Sequence, residues 1–285
     1  MNKILDRFWH KTLRRPYTLT VRTNAGQGTP VILLHGLGSS SDVWANVVAG
    51  LDKNKFKVIA IDLLGFGKSP KPDWVEYDVD DHATSVAATI KKLHLREPAI
   101  IVGHSMGCLV TVRLARKYPE LAKHEILYEM PLYEGLPDKK IYQLRLNIYR
   151  RLYQRIIEFE PAYDPEDAKF IQKLGVKITG FKITPETWLP YIKSLQYTVL
   201  NQTASDDIKH IDIPMEVIYG YRDMFVIRGE PVEIFGEDIG LNIKSHTVNA
   251  AHNISEKSAV FLCKRITEAN SNNFTKKLAK KSLQA

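Results

Sequence analysis

Short apolar runs limit what this chain can fold into. Val31–Leu34, Lys57–Ile61, Ala99–Val102 and Glu125–Tyr128 come first, and two further strand patterns, Met215–Tyr219 and Asn242–Val248, follow much later. Continuous runs of this length, rich in Val and Ile, suit strands buried on both faces, as in a parallel sheet. Helical patterns at about 42–51, 79–94 and 106–117 separate the first four, so each strand leads into a crossover. That alternation predicts a doubly wound, mostly parallel α/β sheet. Upstream, Tyr17–Thr23 alternates polar and apolar residues and predicts one half-buried strand.

The alternation stops at Pro131. From there to about residue 205 the pattern is helical over Ile141–Ile157, Pro165–Leu174 and Pro185–Leu200, and seven of the thirteen tyrosines lie there. A helical insert that splits an α/β sheet reads as a lid over the sheet's carboxyl edge, where open parallel sheets bind ligands. The expected layout is an α/β core at 17–130 and 206–269, a lid at 131–205, a basic segment at 1–16 and a flexible basic tail at 270–285.

Gly103-His104-Ser105-Met106-Gly107 directly follows one apolar run and directly precedes a helical pattern. A strand-to-helix turn this sharp strains its central residue and presents the serine oxygen at the sheet edge, beside a helix N-terminus that favours developing negative charge. A serine hydroxyl is a poor nucleophile without a base, and the base must be oriented by an acid. Among nine histidines, His252 is chosen: it lies in the loop between the last strand run and the final helix. His35 ends the first buried strand and suits a positioning role, while His104 is expected to point away from Ser105. His10, His82, His94, His124 and His210 are expected at the surface. Asp223, which follows Met215–Tyr219 through a Gly220-Tyr221-Arg222 turn, is the acid of choice, and Glu129, at the end of Glu125–Tyr128, is its rival. His35-Gly36-Leu37-Gly38 can turn sharply after its strand, which makes the backbone N–H groups of Leu37 and Met106 the natural oxyanion donors.

These segments, together with Asp62–Ser69 and Ala251–Lys257, resemble the serine hydrolases of the α/β-hydrolase fold, and the likeness runs from about Tyr17 to Ala269. It implies an acyl-enzyme hydrolase acting on esters, carboxylesterase or monoacylglycerol-lipase-like, with Ser105, Asp223 and His252 in the order of that family's triad. Ser at the elbow departs from the Asp of haloalkane dehalogenases and epoxide hydrolases. Cys108 stands where many relatives carry a second glycine; it is expected to affect only helix packing, the other reading being a thiol three residues from the nucleophile that is open to oxidation or alkylation. Thioester, lactone, perhydrolase or C–C bond chemistry on the same residues is the alternative within enzymes. A non-catalytic ligand-binding receptor of the same fold is the alternative outside them.

The net charge of +8 sits at the two ends: residues 1–30 sum to +5, the lysines of 270–285 add four, and 31–269 sum to −1. A neutral body argues against a nucleic-acid groove. No apolar run reaches membrane-spanning length, and the N-terminus lacks the apolar stretch of a secretory signal. Ile4, Leu5, Phe8, Trp9 and Leu13 recur at helical spacing among Arg and Lys. This segment is expected to pack on its own domain or to fray as a terminus, the other reading being a weak peripheral contact with an anionic membrane. Two cysteines, Cys108 and Cys263, suit a reducing compartment, so a cytoplasmic location is expected. No CxxC or HExxH occurs, and neither a metal nor a cofactor is expected. The implied partner is a small ester with an apolar acyl group.

Overall fold

In the computed structural model the described residues are 5, 7–13, 15–133, 140–159, 162–175, 179–223, 225–226 and 242–271. The lysines expected to form a basic tail, at 276–281, lie outside them. Seven strands make one sheet: β1 (Val21–Ala25), β2 (Thr29–Leu34), β3 (Phe56–Ile61), β4 (Ala99–His104), β5 (Ala122–Tyr128), β6 (Met215–Gly220) and β7 (Ile243–Val248). Their order is β1-β3-β2-β4-β5-β6-β7. Every neighbouring pair is parallel except β1 with β3.

The apolar runs are continuous because both faces of this sheet are covered. Alternate residues of β2 feed two separate cores: Ile32 and Leu34 pack on one face, Val31 and Leu33 on the other. Helices α2 (Val79–Lys92) and α3 (Met106–Lys117) cover the first face through Val86, Ile90, Leu109 and Val112. Helices α1 (Ala45–Gly50) and α8 (Glu256–Ser271) cover the second through Val47, Leu262 and Ile266. Between β5 and β6 the chain forms α4 (Lys140–Ile157), α5 (Pro165–Leu174), α6 (Pro185–Ser194) and α7 (Ala204–Ile208). The helical pattern read over Pro185–Leu200 is α6 running directly into a π-helical stretch at Leu195–Leu200.

Three expectations need correction. The first strand is Val21–Ala25 rather than Tyr17–Thr23, because side chains take the earlier backbone groups: Leu19 N–H donates to Thr89 Oγ1 (2.8 Å) and Thr20 N–H to Ser69 Oγ (2.9 Å). His82 and His124 are buried, not superficial: His82 Nε2 lies 3.1 Å from Ser194 Oγ, and burial holds its imidazole down at about 3. Near the N-terminus, Leu5, Phe8, Trp9 and Leu13 are 46–60% exposed, so the apolar residues do not seat on the domain. The His10 ring, stacked on Tyr17 at 3.6 Å, makes that contact instead. Among the described residues no helix is long and apolar enough to cross a membrane.

The strand that leads to Asp223 is anchored from the far side. Glu216 of β6 is buried and accepts from Arg265 Nε (2.5 Å) and Nη2 (2.9 Å) of α8, with His246 Nε2 at 3.0 Å and His124 Nε2 at 3.2 Å. Burial alone would raise the Glu216 carboxyl, but the bonds from His124 and Arg265 outweigh it and hold the group at about 2, below the ordinary 4.5. A depressed carboxylate stabilises the fold above its unfolded value and loses that contribution as pH falls toward the folded one. Removing one partner of such a buried pair typically costs about 3 kcal/mol or more. Arg265→Leu is therefore expected to lower unfolding free energy by roughly 3 kcal/mol at neutral pH. In urea titrations that gap should narrow as pH drops from about 5 toward 2; a gap that stays constant with pH would contradict the assignment.

Candidate active site

Ser105 joins β4 to α3 with φ +54° and ψ −124°, a backbone conformation that a side chain rarely adopts. The glycines around it are sterically required. A Cβ on Gly103 would lie 2.6 Å from Gly107 O, and one on Gly107 would lie 2.4 Å from Leu34 O of β2. The tight packing of helix against strands is what holds the elbow in its strained form. Ser105 N–H donates to Tyr128 O of β5 (3.0 Å), which ties the elbow to the next strand.

The structure brings the three sequence-predicted side chains together. His252 Nε2 is 3.0 Å from Ser105 Oγ, and His252 Nδ1 is 2.6 Å from Asp223 Oδ2. Asp223 Oδ1 accepts from Phe225 N–H (2.7 Å), and Asp223 N–H donates to Gly220 O (3.0 Å). Asp223 is buried, which by itself would raise its carboxyl. Bonds from His252, Glu129 and Phe225 N–H prevail and hold it below the ordinary carboxylate range. An ionised acid bonded to one ring nitrogen fixes the other nitrogen as the acceptor, and that acceptor faces Ser105.

The rival acid is close by but in a different place. Glu129 Oε1 accepts from Gly220 N–H at 2.7 Å, three residues before Asp223.

His104, expected to point away from Ser105, bonds the backbone of the His252 loop. Its Nε2 bonds the backbone carbonyl of His252 (2.7 Å), and the two rings lie 5.0 Å apart. A carbonyl only accepts, so Nε2 carries the hydrogen, and burial keeps this imidazole neutral by pulling it down to about 3. A fully buried histidine in the last position of an apolar strand was the available signal. His35 does hold the loops: its Nδ1 bonds Gly36 O (2.8 Å), its Nε2 accepts from Leu63 N–H (2.9 Å), and burial keeps it neutral. Asp62 accepts from Ser41 N–H (2.8 Å), Ser41 Oγ (2.6 Å) and Lys68 N–H (2.8 Å), which secures the adjoining turns.

Ser105 and His252 open onto a cavity of about 80 Å³. Its walls are mostly apolar: Leu37 of the loop after β2, Leu152 and Ile156 of α4, Leu174 of α5 and Phe225 beside Asp223. The hydroxyls of Tyr133 and Tyr153 approach at 3.2 Å, and Tyr133 Oη also donates to Phe225 O (3.1 Å), bracing the Asp223 loop. Met106 opens α3, so its N–H has no acceptor within the helix. Leu37 stands in the cavity wall beside Ser105. Among the described residues no group of three or more His, Cys, Asp or Glu side chains is placed to hold a metal ion.

Cys108 follows the packing expectation and not the reactive one. Its thiol is wholly buried, bonded to Gly103 O (3.2 Å) and Tyr128 O (3.3 Å), and burial pushes it well above the usual thiol range, so it is shielded from oxidants and alkylating agents. Cys263 is half-buried, and both cysteines are free. Titration of the folded protein with a disulfide reagent is expected to release at most one thiol per chain, and two after denaturation. Rapid release of two from the native protein would contradict the buried placement.

Comparison with known proteins agrees with the fold. The family described as alpha/beta hydrolase fold matches residues 29–160. A probable lysophospholipase of Arabidopsis thaliana, BODYGUARD 4, is 36% identical over 104 residues, which is 36% of this chain and 25% of that protein. A 2-(acetamidomethylene)succinate hydrolase of Mesorhizobium japonicum is 33% identical over 139 residues, 49% of each protein. The chain thus spans half or less of the length of these two relatives. The solved structure of a thermophilic esterase from Thermogutta terrifontis superposes with a TM-score of 0.63 at 20% identity, covering 89% of this chain and 97% of that one. Sheet order, elbow and the match over residues 29–160 agree on the alpha/beta hydrolase fold.

Proposed function

We propose that the chain is a serine hydrolase of carboxylic esters with a small apolar acyl group. The carrying observation is the unbroken series Ser105 Oγ, His252 Nε2, His252 Nδ1 and Asp223 Oδ2, at 3.0 and 2.6 Å, on the wall of an apolar cavity. In this reading Ser105 attacks the ester carbonyl, and its proton passes to His252 Nε2. The ionised Asp223 stabilises the resulting imidazolium. The N–H groups of Leu37 and Met106 hold the tetrahedral oxygen. Protonation of the leaving alkoxide by His252 frees the alcohol, and a water activated by the same nitrogen hydrolyses the acyl-enzyme. Helices α4 to α6 serve as the lid that keeps bulk water off this chemistry. The relatives named for lysophospholipase and for hydrolysis of an acetamidomethylene compound support acyl transfer to water and leave room for leaving groups other than a simple alcohol.

The test is hydrolysis of p-nitrophenyl esters from acetate to palmitate, with wild type and Ser105→Ala side by side. Short-chain esters are expected to turn over faster than palmitate, because a cavity of about 80 Å³ holds only a short chain. Ser105→Ala is expected to lower kcat by at least about 10⁴-fold with its melting temperature within a few degrees of wild type. Residual activity in that variant would remove Ser105 from the reaction. Wild-type inactivity on the whole series, with ligand binding retained, would favour a receptor.

A further inference from the structure

Phe181 stands between two hollows. It lines the apolar cavity that holds Ser105 and His252, and it also lines a second, larger cleft of about 580 Å³. Among the described residues it is the one side chain that faces both. The cleft differs in character from the cavity, because Ser39, Ser40, Lys68, Lys71, Lys182 and Thr184 face it. Two glycines make room for the ring. A Cβ on Gly38 would lie 2.6 Å from Phe181 Cε2, and one on Gly175, just past α5, would lie 2.3 Å from Cδ1. Gly38 belongs to the cleft and Gly175 to the cavity, so the ring reaches from one hollow to the other. Tyr191 of α6 meets it edge-on with the ring centres 6.0 Å apart. The backbone around the ring is pinned as well. Phe181 O accepts from Gln172 Nε2 (3.0 Å), Ile183 N–H donates to Gln172 Oε1 (3.0 Å), and Lys182 N–H donates to Gly38 O (2.9 Å).

We infer that Phe181 is the residue that limits the length of acyl chain this site accepts: its ring closes the catalytic cavity against the cleft, and without it the two become one space. The effect on turnover rests on the proposed hydrolase reading; the partition does not. Most of the cavity wall is backed by packed protein, so trimming a residue there leaves a closed void that still ends somewhere. Leu195 is such a residue, 1% exposed and part of the core. Trimming Phe181 instead joins a hollow of about 80 Å³ to one of about 580 Å³. A closed end rejects the methylene that no longer fits, since overpacking a rigid wall is costly. An open end lets the chain run on, and an apolar pocket with no end discriminates poorly between lengths.

The experiment runs the p-nitrophenyl ester series from acetate to palmitate on wild type, Phe181→Ala and Leu195→Ala. Wild type is expected to lose kcat/KM steeply beyond short chains. Leu195→Ala should move that cut-off slightly and keep it. Phe181→Ala should abolish it, raising the laurate-to-acetate ratio of kcat/KM by at least about tenfold. A Phe181→Ala profile that keeps the wild-type cut-off, or that merely matches Leu195→Ala, would overturn the proposal. Should Phe181→Ala fail to fold, Phe181→Leu is expected to shift the same ratio in the same direction by less, and an unchanged ratio would overturn the proposal. Calorimetric binding of 1-alkanols from butanol to decanol needs no turnover. Affinity is expected to stop rising at a short chain in wild type and to keep rising through decanol in Phe181→Ala. If wild type cleaves no ester, the hydrolase reading falls and the alkanol series still decides the partition. Identical alkanol series in the two proteins would overturn it.

Discussion

Parallel strands cannot be joined by tight turns, so each must be followed by a crossover that leaves the sheet at its carboxyl edge and returns at the opposite one. In this chain that constraint brings the ends of β2, β4, β5, β6 and β7 out along one edge. The loop carrying Leu37, the Ser105 elbow, Glu129, Asp223 and the loop carrying His252 follow those five ends in turn. No two of Ser105, Asp223 and His252 are close in sequence, yet their contact needs only the strand order. The tight approach of Gly107 to Leu34 and of Gly103 to Gly107 then sets the elbow's unusual backbone, because nothing larger than glycine fits between helix and strands there.

Burial works on the site's histidines and carboxyls in different ways. His35, His82 and His104 are buried and held neutral, so they act as fixed donors and acceptors rather than proton carriers. Asp223 is also buried, but bonds from His252, Glu129 and Phe225 N–H favour its charge. In the proposed reaction the Ser105 proton has His252 Nε2 as its acceptor, with the Asp223 carboxylate behind the other ring nitrogen. With one strained hydroxyl and an apolar cavity, such a site suits chemistry in which negative charge develops on a substrate oxygen and is held by backbone N–H groups.

Much of this was legible in the sequence. The buried strands could be read because a sheet covered on both faces needs continuous Val- and Ile-rich runs, and α3 falls at Met106–Lys117, as its pattern predicts. Ser105, Asp223 and His252 could be picked out because each lies within four residues of a strand end. What escaped is what depends on three-dimensional packing. The support given by His104 comes from a carbonyl 148 residues away. The displaced first strand reflects side chains of Thr89 and Ser69 that satisfy its backbone. Glu125, placed in an apolar run, is wholly buried with its carboxyl pushed up by desolvation, and no alternation of residue types would have indicated that. The size of the cavity depends on how α4 to α6 seat on the sheet, which no local pattern states.

The most direct test of the catalytic assignment is covalent trapping. The protein would be treated with a fluorophosphonate, weighed intact and mapped by peptide mass, with His252→Ala as the comparison. One adduct per chain on the peptide bearing Ser105, formed far more slowly in the His252 variant, is the expected result. No adduct, an adduct on another residue, or equal rates in the two proteins would contradict the assignment of Ser105 as a nucleophile activated by His252.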